Sequence, residues 1–184
     1  LPTYQELIER AIQRIPENKQ IPLKMVTWLH QIKKQHKKLV KESDFLTVLH
    51  CDLHHMNILR SGEGWKLIDP KGFVGVPAME CIRFMQNELD LYQWDDPLAV
   101  VEKMITIFAP AVGVSEEDVR QCFFIDSVLS CYWSHEDSAP TDQLGDCVGT
   151  IKLGMQLSIN KWPMPGGRLS EGCSLAATTS YDGK

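Results

Sequence analysis

The sequence predicts an α+β domain, mainly helical, with one small β-hairpin. Three observations predict it. Apolar residues recur at helical spacing over most of the chain, β-branched and aromatic residues replace that period between 45 and 68, and a Ser-Gly-Glu-Gly turn signal divides the second region. With 184 residues and 43% hydrophobic content, the chain is long enough for one domain with a real core.

The elements follow in order. Residues 3–15 (TYQELIERAIQRI) place Leu7, Ile8, Ile12 and Ile15 at helical spacing. Residues 22–41 continue the theme with a stripe of Leu23, Met25, Val26, Leu29 and Ile32, and KKQHKK (33–38) extends that helix as a solvated face. FLTVLH (45–50) reads as a strand. NILR (57–60) and WKLI (65–68) flank SGEG and make a hairpin. Beyond Pro77 the helical period returns at about 79–93, 97–109, 115–134 and 143–161. Ser115 followed by Glu116, Glu117 and Asp118 is a helix start with acids in its first turn. From Met164 the text is Gly/Ser/Thr-rich and aperiodic, so the domain is expected over 1–163 and a tail over 164–184.

Charge and cysteines narrow the function classes. With 24 acidic against 19 basic residues and a net charge of −5, the chain is a poor match for nucleic acid or an anionic membrane. The six cysteines contain no CxxC pair, which points to reduced thiols in a cytoplasmic protein. No apolar run is long enough to span a bilayer, and no signal peptide is visible. The chain opens at Leu1 and enters a helical pattern almost at once, which is the expectation for a fragment or processed product.

Chemistry-bearing side chains gather where the β-insert begins and ends, in LHCDLHHMNIL (49–59) and at Asp69. A hairpin returns the chain to its origin, so Asp69 is expected near Asp52 and Asn57. Three oxygen-bearing side chains then meet from two stretches, which suits a hard cation such as Mg²⁺ completed by water and phosphates. An acid left off the metal could take a proton from a hydroxyl nucleophile. The rival is zinc on His50 and His54 with Cys51 or Asp52. Leu53, Met56 and Ile58 make no helix face with those histidines, so the histidines are expected to shape the turn.

The run His50-Cys-Asp52-Leu-His-His-Met-Asn57, then a hairpin, then Ile68-Asp69-Pro-Lys-Gly, resembles the catalytic segment of the aminoglycoside phosphotransferase and choline kinase superfamily. With IDPKGFVGVPAME and IRFMQNELDL, it is most similar to the streptomycin 6-phosphotransferase and hydroxyurea phosphotransferase group. The resemblance implies the C-terminal lobe of a protein-kinase-like fold, with ATP and Mg²⁺ as cofactors and a small-molecule hydroxyl as acceptor. It implies Asp52 as catalytic base, and Asn57 and Asp69 as holders of Mg²⁺ on the ATP phosphates. Lys71 follows closely enough to reach a phosphate. His50 is expected to orient the loop, and Glu80 and Arg83 to form an internal ion pair that props it. The group usually has Gly at the position of Cys51, an acid at Val76 and often an aromatic at Met79.

Such kinases also carry an N-terminal β-rich lobe with a phosphate-covering loop and a strand lysine. Residues 1–41 contain no glycine and supply neither. That lobe is therefore expected as a missing partner, and the chain alone should bind Mg·ATP poorly and be inactive or slow. For a cationic acceptor, ELDLYQWDD (88–96) and CYWSHED (131–137) offer Asp90, Trp94, Asp95, Asp96, Trp133, Glu136 and Asp137. Two other readings stand beside the kinase: a non-catalytic kinase-like remnant that binds a partner, and a zinc-dependent hydrolase.

Overall fold

The computed structural model describes residues 1–17, 21–91, 94–136 and 141–158. Asp137 and the 164–184 segment lie outside the described residues, as does the side chain of Asp90. Helix α1 (Tyr4–Arg14) starts at a capping box: Thr3 Oγ1 accepts from the Glu6 N–H, and the Glu6 carboxylate accepts from the Thr3 N–H at 2.6 Å. It buries Tyr4, Leu7, Ile8 and Ala11.

Helix α2 (Leu23–Glu42) turns Met25, Trp28, Leu29, Ile32 and Leu39 inward. Leu23 departs from the predicted stripe and is 81% exposed. At 100° per residue it stands about 200° round the helix from Met25, on the opposite face. The lysine run divides in the same way. Gln35 and His36 are buried between exposed Lys34, Lys37 and Lys38.

The predicted hairpin is present as β2 (Ile58–Ser61) and β3 (Gly64–Leu67), with Gly62 at φ +61° supplying the turn. The preceding strand β1 (Thr47–Leu49) belongs to another sheet. It pairs antiparallel with β4 (Phe73–Gly75), Leu49 opposite Phe73. Strand β4 escaped the sequence reading because it is only three residues long, follows Gly72, ends on Gly75 and shows no alternation. Across its far edge, the Val74 N–H donates to the Pro2 carbonyl at 2.9 Å. Gly75 packs closely there: a Cβ would stand 3.0 Å from Leu49 Cδ1, so the end of the Leu49 side chain would have to shift to admit one.

The helix predicted from 79 opens instead as a 3-10 turn, Pro77–Cys81, before α3 (Ile82–Leu91). Helix α4 (Pro97–Val112) outruns its predicted end and stops at Gly113, whose φ of +76° lets its N–H reach the Ala109 carbonyl. Helix α5 (Glu116–Glu136) is the central element, buried nearly all round from Val119 to Tyr132 and packed against α1, α2, α4 and the 3-10 turn. Helix α6 (Thr141–Ser158) lies along it, with Gly154 against the Phe124 backbone. No single described helix is long and apolar enough to cross a membrane. The fold is mainly helical with two small antiparallel sheets, and their junction positions the site.

Candidate active site

The two sheets are stitched together at one mouth. Residues 50–57 leave β1 and enter β2; residues 68–72 leave β3 and enter β4. The Lys71 N–H donates to the His50 carbonyl at 2.9 Å, and the Ile68 N–H donates to the Asn57 carbonyl at 3.1 Å. The Asp69 turn is thereby brought beside Asp52 and Asn57. Asp69 itself has φ +56°, and Cys51 has φ +58°. Both lie in the left-handed region that favours glycine. The conformation of Cys51 gives the physical reason a glycine suits that position.

Asn57 is 7% exposed, and its Nδ2 donates to the Asp52 carbonyl at 2.9 Å. With the amide nitrogen committed, Oδ1 is the atom left to meet a cation. Asp69 is exposed and supplies a carboxylate. These are hard oxygen donors, and the set suits Mg²⁺ completed by water and phosphate oxygens. Lys71 reaches across the mouth, with Nζ 3.1 Å from Asp52 Oδ1. An acid and an ammonium group therefore share one point beside the oxygen donors. The arrangement can accept a proton, hold a polyanion and neutralise charge.

Two of the three histidines, His50 and His54, are occupied with the turn, as expected; His55 departs from that expectation and turns its ring to Phe84 and Glu88 of α3. His50 Nε2 meets the Ile68 carbonyl at 2.8 Å, and His50 Nδ1 accepts from the Asp52 N–H at 3.3 Å. One neutral tautomer, with the proton on Nε2, satisfies both bonds. His54 Nδ1 accepts from the Met56 N–H at 3.2 Å and caps the 3-10 turn His55–Asn57. Among the described residues no three His, Cys, Asp or Glu side chains are grouped to hold a metal ion, so the zinc arrangement is not formed.

The expected Glu80–Arg83 pair resolves into two separate anchors. Glu80 Oε2 accepts from the His50 N–H at 2.8 Å, which props the loop directly. Burial pushes its carboxyl up, opposed by that bond. Arg83 turns the other way, to a buried network: its Nη2 stands 4.0 Å from Asp126 Oδ2, and the Tyr4 hydroxyl donates to Asp126 Oδ1 at 2.6 Å. The two residues diverge because the 3-10 turn ends between them and α3 carries Arg83 toward α5. Sequence reasoning missed Asp126; an acid inside the apolar run CFFIDSVL was the available signal.

The acceptor candidates fare unequally. Asp96 Oδ1 accepts from the Ala99 N–H at 3.1 Å and caps α4, and Glu136 pairs with Arg14 at 2.7 Å. Trp133 is partly buried against the core. Asp95 is exposed, and Trp94 is exposed with its Nε1–H on the Glu88 carbonyl at 3.2 Å.

Residues 6–138 match the profile described as aminoglycoside/hydroxyurea antibiotic resistance kinase. The streptomycin 3''-kinase of Klebsiella pneumoniae is 32% identical over 90 residues, covering 46% of this chain and 34% of that protein. The match thus spans about a third of the relative's length. No solved structure matches the chain. The matched residues contain the whole mouth, from Asp52 to Lys71, together with the helices that support it, and on that ground the chain belongs to the aminoglycoside/hydroxyurea antibiotic resistance kinase family.

Proposed function

We propose that this chain carries the catalytic segment of an ATP- and Mg²⁺-dependent phosphotransferase acting on a hydroxyl of a small molecule such as streptomycin. The observation that carries the reading is the mouth itself, where Asp52, Asn57 and Lys71 are fixed by side-chain bonds and the Asp69 turn is stitched beside them. Asp52 takes the proton from the acceptor hydroxyl as that oxygen forms its bond to the γ-phosphorus. The bond from the γ-phosphorus to the β,γ-bridging oxygen breaks, and ADP leaves with that oxygen. Mg²⁺ would supply charge neutralisation on the phosphates, with Asn57 and Asp69 as the residues that hold it. Lys71 holds Asp52 in place and offers its ammonium to the transferred phosphoryl group.

The chemistry also needs a lobe that covers the nucleotide, and the sequence contains no glycine-rich loop with a strand lysine ahead of the mouth. Exposed apolar residues support a covering lobe at this side: Val48 on β1, Met56 beside Asn57, and Trp65 and Leu67 on one face of the hairpin are all more than half exposed. The five described cysteines are free thiols, which accords with our assignment to the cytoplasm. Trp94 and Asp95 are the preferred contacts for a cationic acceptor.

The test is transfer of labelled γ-phosphate from ATP to streptomycin, hydroxyurea and simple polyols by the complete natural reading frame. Asp52→Asn is expected to lower kcat by about 10²–10⁴-fold. Full activity in that variant would remove Asp52 from the role of base. Phosphoryl transfer by the 184-residue chain alone would overturn the requirement for a second lobe. A complete frame without transfer to any acceptor would favour the non-catalytic remnant.

A further inference from the structure

His55 stands inside the turn, three residues after Asp52 and two before Asn57, yet its side chain leaves the turn for helix α3. Its ring lies 4.5 Å from that of Phe84, and its Nε2 is 3.2 Å from Glu88 Oε2. Phe84 and Glu88 are four residues apart, one turn of α3, so a single helix face grips the ring at two points. That face is itself braced. Phe84 meets Phe108 of α4 edge-on at 5.6 Å, and the Glu88 carbonyl receives the Trp94 indole N–H.

On its backbone side, His55 belongs to the short 3-10 turn that ends at Asn57, and its carbonyl accepts the Ile58 N–H that begins β2. The catalytic turn is therefore pinned at both ends by neighbouring elements. Glu80 holds the His50 end through a backbone N–H. His55 reaches out from the Asn57 end to a carboxylate and an aromatic ring. The side-chain bonds of His50 and His54, by contrast, stay within the mouth.

We propose that His55 is a positioning residue, fastening the Asn57 end of the catalytic turn to α3 through Glu88 and Phe84. Asn57 is thereby held where its Oδ1 can meet a divalent cation. The fastening rests on geometry alone; its consequence for the metal rests on the reading of Asn57 and Asp69 given above.

The test has two readouts: amide hydrogen exchange resolved to residues 54–58 in the 184-residue chain, and Mn²⁺ binding in the presence of ATP by the complete natural reading frame, followed by electron paramagnetic resonance. His55→Ala is expected to speed exchange at Asn57 and Ile58 about tenfold, the factor equivalent to roughly 1.4 kcal/mol, with exchange in α5 unchanged. Mn²⁺ affinity should fall by a similar factor. His55→Gln, which keeps an N–H donor for Glu88, should recover most of both effects. Glu88→Gln tests the same contact from the helix side, in case His55→Ala does not fold. Unchanged exchange at 54–58 in both His55→Ala and Glu88→Gln would overturn the inference. Mn²⁺ binding that is absent, or indifferent to Asp69→Asn, would instead overturn the metal reading, and exchange would then decide the fastening by itself. Affinity lost in Asp69→Asn but retained in His55→Ala would leave the metal reading standing and remove His55 from it.

Discussion

Acid should weaken this fold through one side chain in particular, His36. It lies on the buried face of α2, stacks on Tyr4 at 6.2 Å, and meets Gln5 Oε1 through Nδ1 at 3.1 Å. Its Nε2 is buried with no hydrogen-bond partner. A proton there would place a charge in an apolar site, and burial accordingly pulls the group from its ordinary value of 6.5 down to about 4. The sign follows from the two states. The unfolded chain takes up the proton near pH 6.5 and the folded chain does not until about pH 4. Stability is therefore whole above 6.5 and declines as the pH falls from 6.5 toward 4. The loss amounts to roughly 2 kcal/mol by pH 5 and roughly 3 kcal/mol by pH 4, a large part of the about 5–15 kcal/mol that holds a domain together. Urea unfolding of wild type and His36→Leu at pH 7.5 and pH 4.5 isolates this contribution, because carboxylate titrations are common to both proteins. The difference between the two proteins should shift in favour of the variant by about 2–3 kcal/mol at the lower pH, read as a midpoint shift of about 1 M or more. An equal difference at both pH values would refute the argument that His36 folds uncharged.

Other variants test the remaining supports. Tyr4→Phe removes the donor at 2.6 Å from buried Asp126 Oδ1, and thermal unfolding should show a loss of about 1.5–3 kcal/mol. Cys51→Gly trades relief of a left-handed backbone for a small buried thiol and should stay within about 1 kcal/mol of wild type. Cys51→Val places a β-branched side chain at φ +58° and should lose about 2 kcal/mol or more, measured by the same unfolding assay. Gly154→Val drives atoms toward the Phe124 backbone, where even a Cβ stands at 3.0 Å, and chemical denaturation should report a loss of about 2–3 kcal/mol.

The sequence by itself determined what depends on neighbours a few residues away. The helical periods of α1, α2 and α5, the hairpin across Gly62, and the five-residue step from Asp52 to Asn57 are all local. Each follows from backbone geometry and the spacing of apolar and polar groups. The hairpin also made the return of Asp69 legible, because a two-stranded turn must bring its ends together.

Only the tertiary structure decided which distant groups meet. Strand β1 chose β4 over the hairpin, since Phe73–Gly75 is too short to announce itself until Leu49 lies opposite it. Arg83 went to Asp126 and left Glu80 to hold the His50 N–H, a choice set by where α5 runs. Tyr4 and Asp126 are 122 residues apart, and no period in the sequence links them. His55 reads as one more turn histidine until α3 is seen to offer it Phe84 and Glu88. Such contacts are fixed by packing of helix upon helix, where small differences in angle and register decide which side chains come within bonding distance.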